Sequence, residues 1–582
     1  MNSKLKKLLS ATLAAVLLAS CAACTNSGQS STAPAGSTPA TAAQGSSAPV
    51  SDEPVTLKVG YYQNSTFKWE GNEILEDNTW TNLYEDNGIK LEVLYNVDEE
   101  VHAEKLAQSI LSGVYPDIMK TPSAYFLDWA QQGVFEPLDD IYEQYASEEL
   151  KAYYGSEVGQ KTLLAGRVDG KLYGLPKIQD PYNNMSVLWI RGDWLENVNK
   201  EVPKTLEEFE EVARAFTEDD PDRNGQKDTY GLGLNGAEVF HNHGGIQKAF
   251  ECFGVVPGSA ENVVPFVDIN GSAIFGGADD AKMKQGLAFY NGMYNKGYIP
   301  KDFITAGVDQ IRQDASSGRI GMFFGTMSSV NNVWNSALAT QPNADFIAVS
   351  LPGLSADNYG ASFYTGSPRM YFTMSSKCEY PEAFMKIINL GVQYLAQPDS
   401  LSQDDYEKYN GLPGTYTGWK TALVEFEVPM KNLQALGRHQ KALSSGDTSE
   451  LNAENLRDFN AMKDYLDNLK GKDYKSLNED ELVKLKNGIF YWSVWGAPSC
   501  GYAAVNDMIN IGNLQYSAYD TVQTPSMIEY TPALNTLAKE TIVNIINGNQ
   551  PVDSYTSFLD SWKALGGEEI QAEADDWYKS VQ

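Results

Sequence analysis

The chain has 582 residues, a formal net charge of −32 and five cysteines, of which three lie beyond residue 24. This length is too great for a single hydrophobic core, and so acidic a body is a poor partner for nucleic acid and is repelled by anionic surfaces. The few cysteines exclude a disulfide scaffold, and neither their spacing nor their neighbours indicate a zinc site.

The chain begins with an export signal that ends at a cysteine. Three lysines precede an apolar run over residues 8–18, which is too short to span a bilayer as a permanent helix. Leu18-Ala-Ser-Cys21 resembles the lipobox of bacterial lipoproteins, in which the cysteine thiol is acylated, for example with palmitate, and becomes the new N-terminus. Cys24 is the alternative anchor, although no apolar residue stands at the first position before it. An ordinary cleaved signal is the other alternative to a lipoprotein signal peptide over residues 1–20.

Residues 21–53 consist mainly of Ser, Thr, Ala, Pro and Gly. Such a segment cannot bury enough apolar surface to offset its ordering entropy. We therefore expect a flexible tether that holds a globular body away from a membrane.

The first part of the body alternates between strand and helix patterns. Strands are predicted at residues 55–61, 89–95 and 115–119, and helices at residues 71–87 and 103–113. Alternation of this kind predicts a parallel sheet with right-handed crossovers. Ligands collect at the carboxyl ends of strands in such sheets, so the segments after these three strands are candidates for binding.

The alternation continues further along the chain. Residues 169–176 indicate a turn that leads into a strand, residues 177–184 a crossover, and residues 187–191 another strand. A helical stretch begins at Asp193, and residues 203–216 form a second predicted helix, which opens with a Thr-x-x-Glu capping box and has apolar residues at helical spacing.

Several motifs occur in the order found in one protein family. They are Trp189-Ile-Arg-Gly-Asp-Trp-Leu195 with Val202-Pro-Lys-Thr-Leu-Glu-Glu-Phe209, Gly133-Val-Phe-Glu-Pro-Leu-Asp139, Asp169-Gly-Lys-Leu-Tyr-Gly-Leu-Pro176, Gly318-Arg-Ile-Gly-Met322, Tyr380-Pro-Glu-Ala-Phe384, Ile545-Ile-Asn-Gly548 and Phe558-Leu-Asp-Ser-Trp-Lys-Ala-Leu-Gly-Gly567. The chain thereby resembles the family 1 extracellular solute-binding proteins, lipoproteins that serve ABC importers. It is most similar to the longer members of the LplA and alginate-binding group, which handle oligosaccharides.

The resemblance implies an α/β fold of the periplasmic-binding-protein type, in which two lobes close on a ligand by hinge motion. The implied organisation is a first part of lobe 1 over residues 54–180, lobe 2 over residues 181–365, and return segments over residues 366–582. These return segments are expected to be helical and to complete both lobes.

Sugars require flat aromatic faces together with planar donors and acceptors. Residues of these types follow predicted strands or lie in predicted loops, and the ligand-binding candidates are Tyr61, Tyr62, Asn64, Tyr125, Tyr182, Asn183, His243, Tyr364, Arg369, Trp492 and Trp495. His241 and His243 have no accompanying Cys or third His, which disfavours a metal role and leaves either cleft lining or solvent exposure. Trp189, Trp194 and Trp562 fall inside strand or helix patterns and are assigned to packing.

A partial calcium loop follows the 203–216 helix. Oxygen ligands stand at alternate positions with Gly225 at the sixth, which gives the candidate ligands Asp220, Asp222, Asn224, the Gln226 carbonyl and Asp228. Gly231 occupies position twelve, where a complete EF-hand has a bidentate Glu. Solute-binding proteins similar to this chain carry such a loop in one lobe, and the expected role of the calcium is structural. An acidic surface turn is the alternative.

The resemblance implies a monomer outside the cytoplasm that captures an oligosaccharide and delivers it to ABC permease subunits without chemistry. It is expected to be lipid-anchored at the outer face of a Gram-positive membrane and to bind no nucleic acid. The alternatives are a secreted, lipid-anchored carbohydrate-active enzyme, a peptide-binding protein and a sensory module, although no Gly-x-Ser-x-Gly, HExxH or phosphate-loop motif is present. The acidic composition disfavours a polyanionic glycan unless Arg369 or Lys177 lies in the cleft.

Overall fold

The computed structural model describes residues 54–63, 67, 69, 71–260, 263–355, 360, 362–364, 368–411, 418–428, 430–512 and 514–580, apart from the side chains of residues 157, 332 and 364. The predicted signal peptide, the lipidation site Cys21, the tether and Asn64 lie outside these residues.

The chain forms a mixed α/β structure with a helical C-terminal part. The strands are β1 (Val55–Gln63), β2 (Ile89–Asp98), β3 (Ile118–Pro122), β4 (Arg167–Val168), β5 (Lys171–Leu172), β6 (Gly174–Pro176), β7 (Val187–Arg191), β8 (Tyr230–Gly233), β9 (Phe266–Ile269), β10 (Ser272–Phe275), β11 (Ile320–Gly325), β12 (Phe346–Val349), β13 (Ser362–Tyr364), β14 (Met370–Met374) and β15 (Leu514–Tyr516).

The helices lie between and after these strands. They are α1 (Thr79–Asp86), α2 (His102–Leu111), α3 (Ser123–Gln131), α4 (Asp139–Tyr145), α5 (Glu148–Gly155), α6 (Glu157–Leu164), α7 (Gly192–Asn197), α8 (Leu206–Glu218), α9 (Ile246–Phe250), α10 (Asp280–Lys296), α11 (Val308–Ser317), α12 (Asn331–Leu338), α13 (Pro381–Leu395), α14 (Gln403–Asn410), α15 (Lys431–Ser445), α16 (Ala453–Asp464), α17 (Glu479–Tyr491), α18 (Gly501–Ile511), α19 (Pro525–Ile546), α20 (Ser554–Trp562) and α21 (Glu568–Ser580).

The first large sheet has the strand order β2-β1-β3-β14-β6. Strand β1 runs parallel to β2 and β3, whereas β14 runs antiparallel to β3 and β6. The three strands on which the prediction of a parallel sheet rests, β1, β2 and β3, are parallel as predicted. The whole sheet is mixed, because β14 enters from a distant part of the chain and runs in the opposite direction. Alternate β1 side chains, Leu57, Val59 and Tyr61, point into the core on one face of the sheet.

The second large sheet has the order β12-β7-β11-β8. Its central strand β7 is the predicted strand at residues 187–191, and all five of its side chains are buried. A strand covered on both faces has a continuous apolar sequence instead of an alternating one, which is what Val-Leu-Trp-Ile provides. Trp189, Trp194 and Trp562 are 0%, 0% and 3% exposed, which confirms their assignment to packing.

Local signals fix several element boundaries. Helix α8 begins after Thr205, whose side chain accepts from the Glu208 backbone while the Glu208 side chain returns to the cap, as the capping box predicts. The predicted helix over residues 71–87 is shorter, because Asn78 caps it and the helix begins at Thr79. The strand predicted at residues 115–119 starts three residues later, at Ile118.

The helical C-terminal part runs from α15 to α21, and many of its apolar side chains belong to the same core as the second sheet. No described helix combines the length and the apolar character needed to cross a membrane. Cys252, Cys378 and Cys500 are unpaired thiols. Burial raises the pKa of the Cys378 thiol to about 11, which keeps it protonated near neutrality.

Candidate functional site

Two connections join the large sheets, and both attach to the same edge of each sheet. Residues 177–186 lead from the carboxyl end of β6 to the amino end of β7, and residues 350–369 lead from the carboxyl end of β12 to the amino end of β14. The pairing register places the ends of β3 and β6 beside the start of β14, and the ends of β11 and β12 beside the start of β7. We call these the first edge and the second edge. In such sheets ligands collect at the ends of strands, beside the crossovers. The two edges therefore form the candidate site.

The predicted lobe boundaries at residues 180 and 365 fall within these two connections. As domain boundaries they remain predictions. The connections leave and enter at the same edges, so a change in their backbone angles would move one sheet relative to the other.

Two buried residues, Lys248 on α9 and Glu251 directly after it, hold both connections. The Lys248 ammonium on α9 donates to the Asn184 carbonyl at 3.0 Å and to the Ser186 hydroxyl at 3.1 Å. The Glu251 carboxylate accepts from the Phe363 backbone N–H at 3.1 Å. Burial raises the pKa of Glu251, and the neighbouring Lys248 charge opposes that rise. The pair therefore fixes the positions at which both connections meet α9.

The first edge carries an aromatic ring beside a paired charge. Lys120 Nζ lies 3.0 Å from Glu425 Oε1 and 4.6 Å from the centre of the Tyr62 ring. The Tyr62 hydroxyl donates to the same carboxylate at 3.2 Å, and the His102 ring centre lies 4.6 Å from that of Tyr62. Burial tends to raise the pKa of Glu425, but the charges of Lys120 and Lys177 outweigh it and lower the pKa. Glu425 is therefore an ionised acceptor at this edge.

A second ion pair continues along the first edge. Lys177 Nζ lies 3.4 Å from Glu427 Oε2, and Lys431 Nζ lies 3.7 Å from the other oxygen of Glu427 and 2.9 Å from Glu454 Oε1. Lys120 in the middle of β3 and Lys177 directly after β6 each face a carboxylate. The edge is thus electrically balanced and offers no unopposed cation from these two residues.

The first connection is bonded to the helical part. Asp180 accepts from the Tyr182 backbone N–H at 3.0 Å, and burial, reinforced by nearby Glu427, raises the pKa of Asp180 to about 6. Asn183 Oδ1 accepts from Asn432 Nδ2 at 3.0 Å and from the Tyr502 hydroxyl. Tyr182 is half-buried. The connection therefore presents Tyr182 while Asn183 holds it to α15 and α18.

Three predicted aromatic ligands are wholly or partly buried. Tyr61 is 3% exposed and lies in the first-sheet core. Trp495 is 8% exposed, stacks on Tyr502 with ring centres 6.1 Å apart, and donates its indole N–H to a backbone carbonyl at 2.9 Å. Trp492 is half-buried and its ring centre lies 5.7 Å from Lys470 Nζ. As ligand-binding residues all three remain predictions.

The remaining candidates lie nearer the connections. Tyr125 stacks on Trp129 with ring centres 4.8 Å apart. Arg369 is exposed and lines a cavity of about 120 Å³ to which both connections contribute, with Ser123, Gln179, Phe266 and Tyr519 among its walls. Tyr364 contributes its backbone to β13, and nothing is described of its side chain.

The second edge holds a polar pocket of about 260 Å³. It is formed where β11 ends and by the loop that carries His243, and its walls include His241, His243, Arg312, Ser328, Ser329 and Asn331. The His243 ring stacks on Phe323 with centres 4.9 Å apart, and burial lowers the pKa of His243 to about 3, with the Arg312 charge acting in the same direction. His243 is therefore a neutral imidazole, as a cleft-lining role requires. We call this cavity the second-edge pocket.

The predicted calcium loop lies at the opposite end of the second sheet. It connects α8 to the amino end of β8, which runs parallel to β11, so the loop is far from the second edge. The Asn224 amide donates to Asp222 at 2.8 Å and to both oxygens of Asp228 at 3.3 Å, and Asp220 accepts from the Gly225 N–H at 3.1 Å.

The loop's donors fit a calcium ion in their chemistry. Burial raises the pKa of Asp222, and the charges of Asp228 and Asp220 raise it further, so a cation would relieve repulsion among these carboxylates. Carboxylate and amide oxygens are the ligands that Ca²⁺ prefers. Among the described residues, His, Cys, Asp and Glu side chains alone nowhere gather in a group of three that could hold a metal ion. The amide of Asn224 and the carbonyl of Gln226 would have to complete the set.

Sequence reasoning did not identify the charged residues that surround the candidates. Glu425 and Glu427 lie more than 240 residues from Lys120 and Lys177, with which they pair at the first edge, and Arg312 lies inside an ordinary helix pattern. A usable signal was present only for Lys120, which directly follows the strand predicted at residues 115–119, where the sheet rule places ligand contacts.

The sequence of this chain matches those of known proteins. The sequence model described as "Bacterial extracellular solute-binding protein" matches residues 70–395, more than half of the chain. The polygalacturonan/rhamnogalacturonan-binding protein YtcQ of Bacillus subtilis is 25% identical over 62% of this chain and 70% of its own length. The fructooligosaccharide ABC transporter substrate-binding protein FusA of Streptococcus pneumoniae is 29% identical over 36% of this chain and 40% of its own length.

Solved structures give the same fold. An HMO binding ABC-transporter associated solute binding protein from Bifidobacterium longum infantis superposes with a TM-score of 0.61 at 17% identity, covering 91% of this chain and 99% of that chain. An EF-hand mutant of FusA in complex with fructo-nystose superposes with a TM-score of 0.57 at 16% identity, over 91% and 99% of the two chains. At these identities the likeness establishes the fold, the periplasmic-binding-protein-like α/β architecture.

Proposed function

Because this chain belongs to the family of bacterial extracellular solute-binding proteins, we propose that it captures an oligosaccharide between the first and second edges and delivers it to the permease of an ABC transporter. One observation carries the proposal: both connections attach to the same edge of each sheet. A ligand that touches both edges would make its full set of contacts only when the sheets approach each other. Its binding would therefore favour the approached state, which a permease could recognise.

Sugar as the cargo is supported by the chemistry of the edges. The half-buried Tyr182 on the first connection, and Tyr62 beside an ionised carboxylate, offer aromatic surface next to hydrogen-bonding groups. The second-edge pocket adds imidazole, hydroxyl and amide groups. YtcQ and FusA are named for the oligosaccharides or polysaccharides that they bind, and the same cargo class is proposed here.

A binding role without chemistry agrees with the family and separates the proposal from a carbohydrate-active enzyme. A glycosidase needs two carboxylates at a defined separation on its groove. Glu425 and Glu427 are each engaged by a lysine at 3.0–3.4 Å, which suits acceptors of fixed charge better than a proton donor. A peptide-binding or sensory protein is the alternative with the same fold.

We propose that acylation at Cys21 holds the protein at the outer face of a Gram-positive membrane. The lipobox and the Ser/Thr/Gly tether support this location. Metabolic labelling of cells with a palmitate analogue should mark the wild-type chain, whereas the Cys21→Ala variant should lose the label. A label retained by Cys21→Ala and lost by Cys24→Ala would move the anchor to Cys24.

We propose that the loop over residues 220–228 binds calcium through Asp220, Asp222, Asn224, the Gln226 carbonyl and Asp228. Its distance from the second edge supports a structural role, in which the loop closes the junction between α8 and β8.

The proposed function is tested by calorimetric titration of the full chain with neutral and acidic oligosaccharides and with short peptides, followed by chromatography of the sugar. Saturable binding of a sugar that is recovered intact is expected. Cleavage of the sugar would replace the proposal with an enzyme, and binding of peptides alone would change the cargo.

A further inference from the structure

We propose that the second-edge pocket binds the carboxylate of an acidic sugar residue at one end of an otherwise neutral oligosaccharide. This inference rests on the proposed function and narrows its cargo from oligosaccharides in general to those with a single acidic end.

The first argument is charge. None of the residues that line the pocket is an Asp or Glu, although the chain has 76 of them and a net charge of −32. Arg312 is the charged residue of the lining. The Arg312 side chain is 43% exposed, and its guanidinium lies 3.4 Å from the carboxylate of Asp309, whose side chain is 95% exposed. An ion pair that is so exposed to water is weak. The Arg312 side chain can therefore turn toward an anion in the pocket with little loss of free energy.

The second argument is the orientation of hydrogen-bond donors. His241 Nδ1 accepts from the His243 backbone N–H at 3.0 Å, so in the neutral ring the proton lies on Nε2, which can then donate. Ser328 adds a hydroxyl to the lining, whereas the Ser329 hydroxyl accepts from the Thr326 N–H at 2.8 Å and donates to the Asn242 carbonyl at 3.4 Å. His243 is 3% exposed, and its Nε2 has no hydrogen-bond partner among the residues described. A buried polar atom without a hydrogen-bond partner destabilises the protein, and a ligand group that bonds to this atom removes that destabilisation.

The third argument is the contrast with the first edge. There Lys120 and Lys177 are paired with Glu425 and Glu427, and Asp180 lies nearby. Each of these lysines is already matched by a carboxylate, so a polyanion that extended across both edges would find neither of them unopposed at the first edge. A chain with one acidic end in the second-edge pocket and neutral residues toward the first edge needs no unopposed lysine there.

The pocket's size agrees with an end group. Its volume of about 260 Å³ lies just below the roughly 300–1,000 Å³ typical of sites that enclose a drug-sized ligand. It would therefore take a terminal residue, and the remaining sugar residues would extend toward the first edge.

The test uses the full chain and pairs of sugars that differ in one group. Glucuronosyl-xylotriose and sialyllactose, which each carry one carboxylate, are titrated beside their methyl esters, and neutral xylotetraose and lacto-N-tetraose are included. The variants are Arg312→Gln and, as the matched control, Lys282→Gln. Lys282 is an exposed cation on α10 in an i,i+3 pair, 3.7 Å from Asp279, and is not among the residues that line the pocket, so its variant loses the same charge away from the pocket.

An acidic sugar is expected to bind the wild type about tenfold or more tightly than its ester, because a charge-assisted hydrogen bond is lost on esterification. Arg312→Gln should remove this preference, Arg312→Lys should restore part of it, and Lys282→Gln should leave it unchanged. Equal binding of acid and ester, or binding of neutral sugars only, would overturn this inference and leave the proposed function intact. Absence of binding to every sugar would overturn both.

Discussion

Burial of the ionised Asp180 carboxylate lowers the free energy of unfolding, and replacing Asp180 with Asn should therefore stabilise the protein near neutral pH. Burial raises the pKa of Asp180 from 3.8 to about 6, with Glu427 acting in the same direction. Each pKa unit of difference between the folded and unfolded states corresponds to 1.36 kcal/mol, so the ionised carboxylate costs up to about 3 kcal/mol. Asn keeps an oxygen that can accept from the Tyr182 N–H.

The pH dependence gives the sign of the effect. The unfolded chain ionises Asp180 above pH 3.8, whereas the folded protein resists ionisation until about pH 6, so this residue lowers folding stability as the pH rises through that window. Asp180→Asn should therefore match the wild type in this respect near pH 4 and exceed it by up to about 3 kcal/mol above pH 6.

The assay is urea unfolding of wild type and Asp180→Asn at pH 4 and pH 7.5. Asp467→Asn is the control, because Asp467 is 54% exposed and pairs with Lys463 on the surface. A gain for Asp180→Asn that is equal at both pH values, or no gain at pH 7.5, would refute the assignment of the cost to the buried charge.

Three further predictions address the metal, the first edge and the core. Calcium at a hundredfold its dissociation constant should stabilise the full chain by about 2.7 kcal/mol and raise its melting temperature. The Asp222→Asn variant should lose this calcium-dependent rise, whereas the control variant Glu148→Gln should keep it. Lys120→Met should lower the free energy of unfolding in urea by about 1–3 kcal/mol, because it removes the lysine that pairs with Glu425. The double variant Lys120→Met/Glu425→Gln should recover most of that loss. No recovery would mean that the lysine acts through packing. Trp189→Ala should cost about 3–5 kcal/mol because the ring is fully buried, and a smaller loss of unfolding free energy would show that the site collapses.

Local signals in the sequence were sufficient for elements that depend on their own residues. Strand β7 has the predicted bounds because a run of large apolar residues can only be covered on both faces, and α8 begins where its capping box predicts. The reversed direction of β14 could not be predicted, because it depends on a connection that returns from the second sheet.

The candidate site was predicted less completely, because its contacts also depend on residues that are distant along the chain. The residues before and after strands could be named, and Tyr62, Tyr182 and His243 lie at the two edges or on a connection. Whether an aromatic ring is open or stacked depends on neighbours brought in by tertiary structure, so Trp495 could not be recognised as the partner of Tyr502. The carboxylates that neutralise the edge lysines were hidden by the same separation along the chain.

The central claim is that a sugar binds between the two edges and draws the sheets together without being changed. Small-angle X-ray scattering of the full chain, with and without a sugar that gives saturable calorimetric binding, tests it most directly. A smaller radius of gyration with the sugar recovered intact is the predicted result. An unchanged radius at saturation, or a cleaved sugar, would contradict the account.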